Sequence, residues 1–356
     1  MATDIFKKLQ ERLNFYSVGF PETPSGIELE ILTKLFSEDD AGLFLSLSHG
    51  LEKPESVALR VNRPIPDVAE QLEDMAGRGL LFRVKKGDSV RYAAIPFVHG
   101  LFEFQVSRLD RNLAQLLEEY FKSGFLDAFN KSRGTFLRTI PVQKSLNATH
   151  NVAAFDDAIE ILKKVNQIVV TDCICRKQKG LIDQACDRPL ETCFMFGAMG
   201  QYYLDNRMGR KIDLDEAIQI LSHAQAAGLV TQPATAQNPG GMCNCCGDCC
   251  GVLRALNQHP RPSEIVFSNY IAQIDAESCV GCGACIDRCQ MHALTLNDRD
   301  QAEINPDRCI GCGLCVTTCP FGALSLAQKT GYLFRVPPAT GTDQMMAMAR
   351  ERGLLA

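Results

Sequence analysis

Apolar residues recur at helical spacing over 27–36 and again over 40–47. A turn is expected at Asn62–Pro64, and the stretch PDVAEQLEDMAGRGL (66–80) reads as an amphipathic helix closed by Gly77 or Gly79 in a left-handed cap. LLFRV and VRYAAI then alternate around KKGDS, the pattern of a hairpin with Gly and Asp at its turn. Beyond 106 the helical period returns. Leu109, Leu113, Leu116, Leu117, Tyr120 and Phe121 form one stripe, expected to be ordinary core or interface. A further helix is expected between Asp213, with Glu216 three residues on, and Gly228. Near the end the period shortens: ALTL and ALSL, with AQIDAESC and AEINPDRC before them, read as short strands.

Helix, turn, helix and hairpin over about 25–95 resemble a winged helix-turn-helix domain. The resemblance implies DNA binding through the 66–80 helix, but the charges oppose it. That helix carries Asp67, Glu70, Glu73 and Asp74 against Arg78, and four carboxylates face a phosphate backbone badly. The basic wing (Arg83, Lys85, Lys86, Arg91) is the feature in its favour. The expectation is a docking or dimerisation module, with DNA unlikely as a partner.

Cysteine changes the picture. The chain of 356 residues has 17, none before Cys173. An odd number crowded into one half of a large chain fits metal binding in a reducing compartment better than a disulfide framework. Eight form an internal repeat offset by 30 residues: CVGCGACIDRCQMHALTL from Cys279 and CIGCGLCVTTCPFGALSL from Cys309. Each reads C-x2-C-x2-C-x3-C, and Pro320 completes the second copy. Three cysteines on a tightly turning loop can reach three irons of one cube. The fourth is expected to start a helix that leads away and so to reach the other cube. The glycines at 281, 283, 311 and 313 let backbone N–H groups approach the sulfides.

This segment, about 270–328, resembles a bacterial-type ferredoxin domain with two 4Fe-4S clusters. The resemblance implies that Cys279, Cys282, Cys285 and Cys319 hold one cluster, and that Cys309, Cys312, Cys315 and Cys289 hold the other. Gln290 stands where that family usually has proline, which leaves ligation intact. Seven acidic residues against three arginines between 273 and 328 suit docking on a basic redox partner.

The other nine are Cys173, Cys175, Cys186 and Cys193, then Cys243, Cys245, Cys246, Cys249 and Cys250. A buried cysteine serving as a small hydrophobe explains one or two such residues, not five within eight positions. Further iron–sulfur clusters are the first reading and zinc is the rival, with redox-active thiols a third. The two groups can be separate sites; if 245–256 is helical, Cys246, Cys249, Cys250 and Leu253 share a face.

The sequence thus sets out an α+β protein: a winged-helix-like domain (1–105), a helical region with the nine-cysteine segment (106–265), a pseudo-symmetric dicluster domain (266–330) and a tail (331–356). The expected function is one-electron transfer to or from a partner oxidoreductase. The alternatives are a redox-sensing winged-helix transcription regulator and an oxidoreductase with an open cluster site among the nine cysteines. No catalytic side chain, phosphate loop or dinucleotide fingerprint emerges. With no secretory h-region, no twin arginine and no apolar run of about 20 residues, a cytoplasmic protein of anaerobic type without membrane insertion is expected.

Overall fold

The computed structural model describes residues 2–48, 50–131, 136–146 and 152–354. Helices Ala2–Asn14, Ile27–Leu35, Glu38–Ser46, Pro54–Val61 and Ile65–Gly77 precede a hairpin of β1 (Phe82–Lys86) and β2 (Ser89–Ala93). Local chemistry fixes their ends. Ser37 and Asp40 exchange capping-box hydrogen bonds at the start of the third helix. The Ile65–Gly77 helix buries Val68, Leu72, Met75 and Ala76 on one stripe, each large one contributing about 1.5–3 kcal/mol. The helices Ile27–Leu35, Glu38–Ser46 and Ile65–Gly77 and the hairpin stand where the hydrophobic pattern sets them, and the helix Pro54–Val61 is additional to that pattern.

The Arg111–Tyr120 helix starts where the Asp110 carboxylate accepts from the Leu113 N–H at 2.7 Å. It buries Leu113, Leu117 and Tyr120, so the expected stripe is core. A π-turn (Phe121–Phe125) joins it to helix Leu126–Lys131.

The middle of the chain departs from the helical expectation. Strands β3 (Ile168–Asp172), β4 (Glu191–Phe196), β5 (Arg210–Ile212), β6 (Val230–Pro233) and β7 (Gly241–Cys245) form an antiparallel sheet in the order β5-β3-β4-β7-β6. Helices Ala158–Lys164, Ile174–Leu181, Gly197–Asp205 and Leu214–Ala226 lie between or beside these strands. β3 and β6 are buried along nearly their whole length, so they lack the polar alternation that marks a strand in sequence. The Asp213 cap and the left-handed Gly228 flank the Leu214–Ala226 helix as expected.

Segment 136–146 straps the sheet to the last module. Arg138 and Ile140 donate backbone N–H bonds to the Pro233 and Thr231 carbonyls of β6, and Val142 donates to the Cys312 carbonyl at 2.9 Å. Arg138 is fully buried and reaches the carbonyls of Ala234, Ala236 and Phe155.

Two short sheets follow, β8 (Tyr270–Ile274) with β11 (Leu324–Gln328) and β9 (Leu294–Leu296) with β10 (Ala302–Ile304), both antiparallel. Helix Gly341–Glu351 is capped by Thr340 and Asp343, and Arg352 beyond it donates to the Asn14, Tyr16 and Ser17 carbonyls. No helix among the described residues is long and apolar enough to cross a membrane.

Candidate metal centres

In the repeat, Cys279, Cys282, Cys285 and Cys319 line one small cavity, and Cys289, Cys309, Cys312 and Cys315 line another. The interleaving comes from one-turn helices, Ala284–Arg288 and Leu314–Thr318, each carrying the third cysteine of its run. Cys289 and Cys319 end these helices and do not start them, contrary to the sequence expectation. The x3 spacing is one helical turn, which carries the fourth thiol away from the first three. The Ala302 N–H donates to the Cys279 sulfur at 3.3 Å and the Ala272 N–H to the Cys309 sulfur at 3.5 Å, equivalent bonds one repeat apart. Gly281 and Gly311 have positive φ, and a Cβ there would run into the carbonyl oxygens of Asp300 and Tyr270. Burial pushes the Cys315 thiol up to about 12 and that of Cys312 well up, so a metal must displace their protons.

Residues 278–323 match the family model described as a 4Fe-4S dicluster domain. This segment is a ferredoxin-type iron–sulfur domain. No curated protein and no solved structure matches the chain.

The nine upstream cysteines do not divide by sequence group. Antiparallel pairing sets β3, β4 and β7 side by side. Cys193 lies on β4 opposite Thr171, and Cys243 and Cys245 lie on one face of β7. Cys173 and Cys250 each precede a helix, Ile174–Leu181 and Gly251–Gln258. Cys246–Cys250 therefore form a turn, and the helix that would have put Cys246, Cys249 and Cys250 on one face starts only at Gly251. A Gly-Asp pair and a cysteine whose sulfur is engaged elsewhere do not favour an earlier start.

The result is a closed ring of six thiols. Cys173 meets Cys175 and Cys193; Cys193 meets Cys243; Cys243 meets Cys245; Cys245 meets Cys250; Cys250 returns to Cys175. Hydrogen bonds from Cys175 and Cys193 push the Cys173 thiol well down, while its neighbours are pushed up. The ring borders a chamber of about 50 Å³ walled by Phe121, Phe125 and Phe136, with His99 and Glu103 on its lining. Burial raises the Glu103 carboxyl, which accepts from the Gly100 N–H at 2.7 Å. Neither His99 nor Glu103 was singled out from sequence; each lies some 70 residues or more before the first cysteine, with no local signal.

Arg176 sits between the ring and the remaining trio. It is 2% exposed. Its guanidinium donates to the Asn244 carbonyl at 3.1 Å and the Thr192 hydroxyl, and lies 3.9 Å from the Cys246 sulfur. Among the described residues its Nε has no partner and no carboxylate pairs with it. Its charge faces Cys173, Cys193 and Cys246. Cys186, Cys246 and Cys249 form the trio; a hydrogen bond from the Cys249 thiol holds Cys246 down at about 5.

The trio abuts the ferredoxin module. The Gly247 N–H donates to the Gln290 side chain at 2.7 Å, and Asn257 donates to the Gln290 carbonyl at 2.9 Å. The residue that replaces the family's proline thus holds the cysteine-rich turn beside Cys289.

Proposed function

We propose that the protein is an iron–sulfur electron carrier in which the ferredoxin module exchanges electrons with a further iron–sulfur group held by the ring of Cys173, Cys175, Cys193, Cys243, Cys245 and Cys250. The observation that carries this reading is Arg176. A buried guanidinium with no carboxylate is costly unless the sulfurs around it bear negative charge, as thiolate-ligated clusters do. Two helix N-termini start at ring cysteines and favour the same sign. In the module, Cys279, Cys282, Cys285 and Cys319 hold one 4Fe-4S cluster and Cys289, Cys309, Cys312 and Cys315 the other, in keeping with the two cavities they line.

The first of these clusters is the outer one. Cys282 is exposed, and beside it Val280 and Phe321 are exposed apolar residues. A basic redox partner docks here, guided by the module's acidic residues. The second cluster, next to Gln290, faces inward. The amino-terminal elements act as a winged-helix docking module, not a DNA reader. Glu73 accepts from Arg83 at 2.6 Å, Lys85 at 3.1 Å and Tyr92 at 2.7 Å, so two basic residues of the hairpin are already engaged. The second reading is an oxidoreductase acting within the ring chamber, favoured by the His99 and Glu103 lining.

Iron and acid-labile sulfide analysis of anaerobically purified protein tests the main reading. At least about eight irons per chain are expected from the module, with more from the ring. Arg176→Met should lower the excess and spare the module. Fewer than eight irons after full reconstitution would sink the proposal.

A further inference from the structure

Cys186, Cys246 and Cys249 differ from the other cysteines in their spacing. Their sulfurs all lie within 4.8 Å of one another, Cys186 being 3.6 Å from Cys246 and 3.8 Å from Cys249. A tetrahedral ion with metal–sulfur bonds of about 2.3 Å places its thiolates roughly 3.8 Å apart. In a cubane each thiolate caps a different iron, so the sulfurs stand farther apart. The chain supplies its own comparison. Among the described residues, no three of the ferredoxin cysteines and no three of the ring meet that mutual distance.

The local chain agrees. Cys246-Gly247-Asp248-Cys249 is a C-x2-C knuckle, and the Cys249 N–H is directed at the Cys246 sulfur. Cys246 and Cys249 are buried, whereas Cys186 is half-buried and borders an open cleft of about 730 Å³ with Arg188 and His223. No fourth His, Cys, Asp or Glu among the described residues comes within the same distance of all three.

We infer that Cys186, Cys246 and Cys249 bind one tetrahedral metal ion of the zinc class through three thiolates, with its fourth position open to the cleft. The inference rests on the reading that the upstream cysteines bind metal, but it assigns this trio to a different metal from the ring. Zinc neither gains nor loses electrons. The ion therefore clips the 186 loop to the knuckle that bonds Gln290, and presents one exchangeable position for water or a small thiol.

The test is metal analysis with zinc-edge X-ray absorption on the full chain, produced with both iron and zinc supplied. One zinc per chain is expected, with three sulfurs and one lighter atom around it, and an added small thiol should replace the lighter atom. Cys186→Ser and Cys249→Ser should each lose the zinc and keep the iron. A wild-type protein without zinc, or variants that lose iron in step with the trio, would overturn the inference. A four-sulfur shell in the wild-type protein without added thiol would overturn the open position. The wild-type measurements decide even where a variant fails to fold. Iron below about eight per chain would instead count against the electron-transfer reading, so the two failures are distinguishable.

Discussion

Glu118 shows how single side chains hold the ring together. Its carboxylate accepts from Arg254 at 2.8 and 3.0 Å and pairs with Lys179 at 2.8 Å. Lys179 lies on the helix that follows Cys173, and Arg254 on the helix that follows Cys250. One carboxylate thus pins both helices that leave the ring. Burial alone raises such a group, yet the hydrogen bonds from Lys179 and Arg254 outweigh it and hold Glu118 down at about 2. A depressed carboxyl contributes stability that is complete above its ordinary value of about 4.5 and is lost as pH falls towards about 2. Glu118→Gln should cost about 3–5 kcal/mol at neutral pH, because it strands the buried Lys179 and the half-buried Arg254. Anaerobic denaturant titrations should show that deficit shrinking below about pH 4.5. Acid loss of clusters is common to both proteins and cancels in the difference. A deficit independent of pH would refute the role given to this ion pair.

At the scale of elements, the turn between Cys245 and Gly251 matters most, because it places its cysteines on two sides. Cys245 and Cys250 belong to the ring, while Cys246 and Cys249 belong to the trio. The turn is secured against the module by Gln290. Gln290→Ala leaves the Gly247 N–H without its acceptor, which costs about 1–2 kcal/mol. Anaerobic thermal unfolding should move down by a few degrees at most, with module iron unchanged; loss of module iron would show that Gln290 supports the cluster itself.

Much of this was legible beforehand. The helices at Ile27–Leu35, Glu38–Ser46 and Ile65–Gly77, the hairpin and the Leu113–Phe121 stripe follow from period, and the cysteines that line the module's two cavities are the two sets the ferredoxin resemblance implies. The five-stranded sheet was not legible, because β3 is uniformly buried and β4 and β7 carry cysteine where alternation would show. The ring was illegible for the same reason, since lateral strand pairing joins Cys193 to Cys243 across some 50 residues. The sequence flagged Gln290 as a departure, but its partner is visible only in three dimensions.

Across the whole molecule the centres form a series. The outer set around Cys282 meets solvent, the Cys289 set lies against Gln290 and the knuckle, and the ring lies deepest, behind Arg176. The strap 136–146 links the sheet to the module, bonding β6 at one end and Cys312 at the other. On the proposed function, such an order gives the two ends different duties: exchange with a partner outside, storage or use of electrons within. The outer surface is then expected to govern partner kinetics without governing cluster content. Phe321 is 54% exposed beside Cys319 and makes part of the wall of the outer cavity. Phe321→Lys removes apolar contact and places a positive charge on the face proposed to dock a basic partner. Like-charge contact at an interface lowers association, and the effect weakens as salt rises. With cytochrome c as a basic one-electron acceptor, stopped-flow oxidation of the reduced variant should be slower than wild type by roughly tenfold at low ionic strength. The gap should narrow with added salt. Oxidation by a small uncharged quinone should be unchanged, as should the iron content. Equal slowing with both acceptors would place the defect in the cluster and remove the docking role from this face.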